Sequence, residues 1–310
     1  MGFKHLIRIR DLSAADIERI LTTAAACKDI FGREVKKMPT LRGRVMVNLF
    51  CEPSTRTRTS FELAGKWMSA DVVNIAVPSS SVVKGESLVD TAKTLEALGA
   101  DIVVIRHPSA GAPALLARAV RAAVINAGDG MHEHPTQALL DMFTIQEAKG
   151  TIDGLHVVIV GDILHSRVAR SNIWGLRALG ARITVVGPPT LMPPGLEQLG
   201  VQVRHDLDAV LPEADVVNVL RIQRERQHAA LIPSLREYTR LFGLTRERLA
   251  RLRPDALILH PGPANLGVEI VQDAVDDPRA RIHDQVTNGV AVRMAVLYLV
   301  TGGRHDAAAA

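Results

Sequence analysis

The sequence predicts an α/β protein made of two doubly wound domains, each with a parallel sheet, and an active-site cleft between them. Short runs rich in Val and Ile alternate with amphipathic segments, which is typical of parallel strands covered by helices on both faces. These runs form two series, one in each half of the chain. The 310 residues, 47% of them hydrophobic, suffice for two domains of ordinary size.

The first series follows an early helix predicted over Asp11–Phe31, with Ser13 as its N-cap and Asp16 as the capping-box partner. The predicted strands are the apolar runs Arg44–Phe50, Asp71–Val77, Asp101–His107, Ala122–Ala127, His156–Gly161, Arg182–Val186, Val201–Arg204, Asp215–Leu220 and Ala256–His260. The later predicted helices are a segment from Phe61 onward, Leu88–Leu98, Ala112–Arg121, Gln137–Lys149, Arg167–Leu179 and Val286–Val300. Ligands bind at the carboxyl ends of strands in such folds, so polar residues there are the functional candidates.

The segment Ser54-Thr55-Arg56-Thr57-Arg58-Thr59-Ser60 lies between a predicted strand and a predicted helix. A helix start needs only one small polar cap, so the additional hydroxyls and arginines require another explanation. Hydroxyl donors, guanidinium groups and helix N–H groups suit a phosphate, although a solvated helix start remains the alternative. Arg56 and Arg58 cannot share one helix face, so we expect Arg56 to bind the ligand and Arg58 to support the fold.

Two more polar clusters follow strands of the first series. Arg106 stands at the end of the third strand, where its side chain can reach a ligand. After the fourth strand, His134 and Gln137 are three residues apart across a helix start, so both can face one ligand and polarise a carbonyl oxygen. His134 could instead be a core or capping histidine. His132 and His134 suggest a metal pair, but no carboxylate or thiolate completes such a site.

The second series has its own charged strand ends. Arg167 follows the strand that ends at Gly161, and no G-x-G-x-x-G pattern marks this turn as a dinucleotide site. Arg221 and Gln223 follow another strand, and their side chains lie on the same side if the strand continues. Gly262 and Pro263 form a rigid turn after the last strand. These features suit one phosphorylated substrate and one small dicarboxylate.

Composition excludes several other classes. A net charge of +4 and an aromatic content of 3% do not favour nucleic-acid binding. The two cysteines form no disulfide framework, and no apolar stretch is long enough to span a membrane. The first residues lack a secretory pattern, so we expect a cytoplasmic protein. Residues 79–87 form a loop with one lysine, Lys84, and from the residues alone an ordinary solvated loop is the favoured interpretation.

Four segments together resemble the carbamoyltransferases, and the similarity to members that use L-aspartate covers nearly the whole chain. They are Ser54-Thr55-Arg56-Thr57-Arg58, Arg106-His107-Pro108, His134-Pro135-Thr136-Gln137 and Arg221-Ile222-Gln223. The resemblance implies condensation of carbamoyl phosphate with L-aspartate to N-carbamoyl-L-aspartate and phosphate, in pyrimidine synthesis. It implies no metal and no organic cofactor. It also implies a carbamoyl-phosphate-binding domain over 1–134 plus 287–310 and an aspartate-binding domain over 135–286.

The resemblance further implies roles for individual residues. Carbamoyl phosphate would meet Ser54, Thr55, Arg56, Thr57, Arg106, His134, Gln137, Gly262 and Pro263, and L-aspartate would meet Lys84, Arg167, Arg221 and Gln223. Arg56, Thr57, Lys84, Arg106 and His134 would act in catalysis. Ser80 and Lys84 would come from the neighbouring subunit of a homotrimer with shared active sites, which reverses the interpretation of that loop. A larger assembly with dihydroorotase-like or regulatory chains is left open.

The chain also departs from the family pattern. The best-known members have leucine in place of Gly262 and arginine after Pro263, and many bacterial members have arginine where Leu266 stands. An ornithine carbamoyltransferase is the nearest alternative, but Pro261 replaces its usual cysteine and its Ser-Met-Gly motif is absent. Two arginines would also repel a cationic acceptor. A non-catalytic scaffold or anion sensor and a nucleotide-dependent oxidoreductase are the alternatives from other classes.

Overall fold

The computed structural model describes residues 3–76, 86–222 and 231–302, and the chain divides into two compact units. The first unit comprises Met1–Leu139 and Thr287–Ala310, and the second comprises Leu140–Val286. Each contains one parallel sheet with helices between successive strands, which confirms the predicted α/β class. The chain passes between the units twice, within helices α5 (Pro135–Lys149) and α10 (Ile282–Val300).

The first unit has a four-stranded sheet in the order β2-β1-β3-β4. Its strands are β1 (Val45–Phe50), β2 (Asp71–Ala76), β3 (Ile102–His107) and β4 (Ala123–Asp129). Its other helices are α1 (Ala14–Lys28), α2 (Thr55–Trp67), α3 (Leu88–Ala97) and α4 (Ala112–Ala119). Ser13 and Asp16 form the predicted capping box of α1, and a short 3-10 turn, Asp29–Gly32, follows that helix.

Asp101 sets the starts of two neighbouring strands in this sheet. One carboxylate oxygen accepts a hydrogen bond from the backbone N–H of Val45, and the other pairs with Arg44, both at 2.9 Å. Apolar side chains from β1, β3 and β4, including Leu49, Ile105 and Val124, pack against α3 and α4 in the core. The core therefore fixes the strand register, and with it the positions of the polar residues at the strand ends.

The second unit has a five-stranded parallel sheet in the order β7-β6-β5-β8-β9. Its strands are β5 (His156–Val160), β6 (Arg182–Val186), β7 (Gln202–Arg204), β8 (Val216–Val219) and β9 (Leu257–Leu259). Its helices are α6 (Arg167–Ala178), α7 (Leu235–Phe242), α8 (Arg246–Leu249) and α9 (Gln272–Val275). The nine strands found in the described residues agree with the sequence prediction to within a few residues.

The helices differ from the sequence prediction at several points. Helices α8 and α9 were not predicted, and α5 and α10 begin at Pro135 and Ile282 rather than at Gln137 and Val286. Helix α2 begins at Thr55 rather than Phe61, so the hydroxyl and arginine segment forms its first turns instead of leading into it. Helix α7 was not predicted, although Ser234 followed by Glu237 has the spacing of a capping box, and the Ser234 side chain does accept from the Glu237 N–H. The amphipathic residues of α7 directly follow a stretch without apolar periodicity, and for this reason the helix was missed in the sequence prediction.

Candidate active site

The first unit places three of the predicted clusters beside one another. Strands β1, β3 and β4 are neighbours in a parallel sheet, so their carboxyl ends meet at one edge. Ser54–Thr57 follows β1, Arg106 is the penultimate residue of β3, and His134 follows β4. Three segments far apart in sequence therefore supply polar side chains to the same edge, where ligands of doubly wound sheets bind.

Ser54 precedes α2 with extended backbone, and its carbonyl accepts the first helical hydrogen bond, from the N–H of Arg58 at 3.2 Å. Its side chain makes no hydrogen bond that caps the helix. In contrast, Ser13, Ser87, Ser166 and Ser234 each accept from the backbone N–H three residues later. The Ser54 hydroxyl therefore caps no N–H group at the start of α2, a position where helix N–H groups suit an anion.

The residues after Ser54 differ in exposure. Thr57 is buried, whereas Thr55 and Arg56 are exposed and Arg58 is half-buried. Arg56 and Arg58 point to different sides of the first two turns, as the helical spacing requires. The segment thus presents one exposed arginine, Arg56, and one exposed threonine, Thr55, at the start of α2, whereas Thr57 is buried.

Contacts on both sides hold the guanidinium of Arg106. Its Nε lies 3.2 Å from Oε2 of Glu52, and its Nη1 donates to the carbonyl of Ala127 at 3.2 Å. The Arg106 carbonyl accepts from the N–H of Cys51 at 2.8 Å, which ties β3 to the segment before Ser54. Glu52 was not predicted as a site residue, since nothing local in the sequence distinguishes this acid from a surface carboxylate.

His134 is the residue immediately before α5, and it is buried together with Gln137. Its carbonyl accepts from the N–H groups of Gln137 and Ala138, at 3.0 and 3.3 Å, so the helix itself holds both side chains in register. The buried carboxylate of Asp129 orders the loop before His134: it accepts from the N–H groups of Gly111 and Glu133 at 2.8 and 3.1 Å. Two buried polar side chains one helical turn apart can thus address one carbonyl oxygen.

The second unit repeats this arrangement at strands β5, β8 and β9, which are also neighbours in a parallel sheet. Arg167 follows β5 as the first residue of α6 and is only 3% exposed, which is unusual for an arginine. Arg221 is half-buried and follows β8, and the turn with Gly262 and Pro263 follows β9. Arg167 and Arg221 therefore both lie at the carboxyl edge of the same sheet.

Local hydrogen bonds fix the turn after β9. The Gly262 N–H donates to Nδ1 of His260 at 2.8 Å. Gly262 has a φ of +62°, a left-handed conformation that favours glycine, and a cis peptide bond joins it to Pro263. Asn265 closes the turn by donating from its backbone N–H to Glu269 at 2.6 Å. The turn is therefore preorganised, as a backbone contact to a ligand requires.

Three predicted site residues, Ser80, Lys84 and Gln223, lie outside the described residues. In the part of the chain that is described, no three His, Cys, Asp or Glu side chains group as metal ligands. The helices of that same part are all too short or too polar to cross a membrane. Burial raises the pKa of the Cys51 thiol to about 11, which disfavours the thiolate near this site.

Two family models match the chain, one in each half. The model described as "Aspartate/ornithine carbamoyltransferase, carbamoyl-P binding domain" matches residues 4–147, and "Aspartate/ornithine carbamoyltransferase, Asp/Orn binding domain" matches residues 153–300. The aspartate carbamoyltransferase catalytic subunits of Moorella thermoacetica and Heliobacterium modesticaldum are each 63% identical over 300 residues. These alignments cover 97% of this chain, and 98% and 96% of the two relatives.

Solved structures agree with these sequence matches. Aspartate transcarbamoylase from Trypanosoma cruzi in complex with carbamoyl phosphate and aspartate superposes with a TM-score of 0.87, at 32% identity, over 96% of each chain. The same enzyme in complex with N-(phosphonacetyl)-L-aspartic acid gives a TM-score of 0.88 at 33% identity, over 96% of this chain and 95% of that one.

Proposed function

The chain belongs to the aspartate/ornithine carbamoyltransferase family, and we propose that it transfers the carbamoyl group of carbamoyl phosphate to L-aspartate. The products are N-carbamoyl-L-aspartate and phosphate, and the reaction belongs to pyrimidine biosynthesis. The observation that carries this proposal is 63% identity, over nearly the full length, to aspartate carbamoyltransferase catalytic subunits.

We assign carbamoyl phosphate to a binding domain over residues 1–134 and 287–310. Ser54, Thr55, Arg56 and Thr57 bind its phosphate at the start of α2, where hydroxyl and N–H donors meet. The carbonyl oxygen accepts from the residues Thr55, Arg106, His134 and Gln137, and the backbone of Gly262 and Pro263 completes its surroundings. His134 is buried, and contacts with Glu52 and Ala127 hold the half-buried guanidinium of Arg106. These features support the assignment, because positioned donors need no reorganisation during the reaction.

L-Aspartate binds in the domain over residues 135–286, through residues that include Arg167, Arg221 and Gln223. Guanidinium forks match carboxylates in geometry as well as charge, and Arg167 is buried where a dicarboxylate can be desolvated. The deprotonated α-amine of L-aspartate attacks the carbonyl carbon of carbamoyl phosphate and forms a tetrahedral oxyanion. Arg106, His134 and Thr55 stabilise the oxyanion, and the departing phosphate takes the proton. Catalysis is then mainly positioning and electrostatics.

The direct test is to incubate the purified chain with carbamoyl phosphate and L-aspartate, without added metal, and to measure N-carbamoyl-L-aspartate. L-Ornithine under the same conditions is the control for acceptor specificity. We expect product from aspartate alone, because two arginines repel a cationic side chain. Carbamoylation of ornithine but not aspartate would refute the proposal, and an anion sensor would bind the phosphonate analogue yet form no product.

We propose a cytoplasmic homotrimer in which Ser80 and Lys84 reach the active site of the neighbouring subunit. The test mixes Lys84→Ala chains with Arg106→Ala chains, each inactive alone. Recovered activity is expected, since some sites then receive one intact half from each chain. Trimers made only of the Lys84→Ala/Arg106→Ala double variant are the matched control, and a mixture of the two single variants that is no more active than this control would exclude a shared site.

A further inference from the structure

One buried carboxylate in the second unit holds the turn after β9. Glu269 is fully buried, and its Oε1 accepts from the backbone N–H of Asn265 at 2.6 Å and lies 3.3 Å from Nε2 of His260. Its Oε2 accepts from Nδ2 of Asn265 at 3.2 Å. A buried carboxylate needs several donors, and here all three belong to the segment that carries Gly262 and Pro263.

The partners of His260 fix its tautomer. The Gly262 N–H donates to Nδ1, so this nitrogen must present its lone pair. The proton of the neutral ring then lies on Nε2, where it can be donated to Oε1 of Glu269. The ring thus transmits the position of the carboxylate to the Gly262 amide, the first peptide group of the turn.

The same carboxylate reaches the end of β8 through Asn265. Nδ2 of Asn265 donates to Oε2 of Glu269 and also to the carbonyl of Ile222, both at 3.2 Å. Ile222 stands directly after Arg221 in the sequence. The side-chain amide of Asn265 bridges the Glu269 carboxylate and the Ile222 carbonyl. Exchanging its oxygen and nitrogen would place Oδ1 against these two acceptors, so the orientation of the amide is fixed.

The backbone of His260 is held separately. Its N–H donates to Oε1 of Gln285 at 3.0 Å, and Nε2 of Gln285 donates to Oδ1 of the buried Asp141 at 2.7 Å. The end of β9 is therefore anchored without Glu269. What Glu269 adds is the orientation of the ring, of Asn265 and of the two segments that they contact.

We propose that Glu269 is a positioning residue that aligns the Gly262–Pro263 turn and the Arg221 segment with one another. The inference rests on the proposed function, in which the turn contacts carbamoyl phosphate and Arg221 contacts L-aspartate. Glu269 touches neither substrate. It couples the two binding elements because its oxygens accept from His260 on one side and from Asn265 on the other.

The central experiment is steady-state kinetics of Glu269→Gln, which keeps the side-chain volume. The NH₂ group of the new glutamine replaces one of the two carboxylate oxygens. In one orientation it faces the donors of His260 and of the Asn265 backbone, and in the other it faces the Asn265 side-chain donor. We expect KM for both substrates to rise and kcat/KM to fall about ten- to hundredfold, the range for losing a hydrogen bond to a charged group. Unchanged KM values in a folded variant would refute the inference.

Asn265→Ala separates the two arms and serves where Glu269→Gln folds poorly. It removes the contact with the Ile222 carbonyl but leaves His260 against Glu269, so we expect KM for L-aspartate to rise more than KM for carbamoyl phosphate. Asp208→Asn is the matched control. Asp208 accepts from Nε and Nη2 of Arg248 at 3.0 and 3.1 Å in the same unit, so its loss lowers the melting temperature without changing either KM.

The tautomer of His260 gives a readout that is independent of activity. Two-bond ¹H–¹⁵N correlation spectra distinguish the two tautomers of a histidine ring. The His260 signals are assigned as those that are absent from the spectrum of the His260→Gln variant. We expect the Nε2–H form in the parent chain and a shift toward Nδ1–H in Glu269→Gln. An Nδ1–H ring in the parent would overturn the inference. A parent chain inactive toward aspartate would instead refute the proposed function.

Discussion

Nε of Arg106 lies 3.2 Å from Oε2 of Glu52, while Nη1 of the same guanidinium donates to the carbonyl of Ala127. An acid from the segment after β1 and a carbonyl from β4 thus orient an arginine at the end of β3. A planar fork can satisfy two fixed acceptors and still offer donors to a substrate, whereas a point charge cannot. The geometry at this residue, and not only its charge, should therefore matter for activity.

Arg106→Lys tests this point. Lysine keeps the charge but cannot reach Glu52 and Ala127 together, so we expect kcat to fall about a hundredfold, as for the loss of one oxyanion donor. The melting temperature should change little. The control is Arg118→Lys on the exposed surface of α4, for which kcat should equal that of the parent. Similar kcat values for both variants would show that charge alone suffices at Arg106.

The two arginines of α2 should separate in a binding assay. Arg56 is exposed at the start of the helix, whereas Arg58 is half-buried and lies one turn before Glu62. We expect Arg56→Ala to weaken binding of N-(phosphonacetyl)-L-aspartate about ten- to hundredfold in calorimetric titrations. Arg58→Ala should lower the melting temperature while leaving the affinity close to that of the parent. The reverse result would exchange the roles of the two residues.

Serine substitutions can distinguish ligand binding from helix capping. Ser54 makes no side-chain capping hydrogen bond, whereas Ser13 caps α1 in a capping box. We expect Ser13→Ala to cost about 1 kcal/mol of unfolding free energy, without effect on phosphonate affinity. Ser54→Ala should cost little stability and weaken that affinity. Denaturant unfolding gives the unfolding free energy, and titration of the same samples gives the phosphonate affinity. If Ser54→Ala lowers the unfolding free energy but leaves the affinity unchanged, the role of Ser54 is purely structural.

His107 should contribute to the acid sensitivity of the fold. Burial lowers the pKa of His107, and its Nδ1 accepts from the Ser109 N–H, so the folded chain resists protonating this ring. As the pH falls through about 6.5, the unfolded chain binds the proton first, and stability is lost. His107→Asn keeps an acceptor but does not titrate.

Urea unfolding at about pH 7.5 and about pH 5.5 measures the effect. We expect the parent to lose more unfolding free energy between these pH values than His107→Asn does. Burial also lowers the pKa of His5, which contributes equally to both chains and so cancels from the comparison. Equal losses would show that His107 is not a source of the acid sensitivity.

Much of the fold was predictable because its signals are local. Runs such as His156–Val160 and Arg182–Val186 are continuous apolar strands, and Ser13 with Asp16 marks a helix start within four residues. The candidate site was predictable for a related reason. Polar residues directly after apolar runs, such as Arg106 and Arg167, must lie at the carboxyl edge of a parallel sheet once the strands are identified.

Residues that act through other residues carry no such signal. Glu52, Asp129 and Glu269 are acids whose partners are 54, 18 and 9 residues away, respectively, or come from backbone groups that any sequence has. The sequence alone determined the α/β class, the family and the strand-end residues, because these depend on periodicity and short motifs. Only the tertiary structure decided that Ser54 leaves α2 uncapped by its hydroxyl and that Glu269 orders the Gly262 turn. Hydrogen bonds between distant segments exist only after the sheets have brought those segments together.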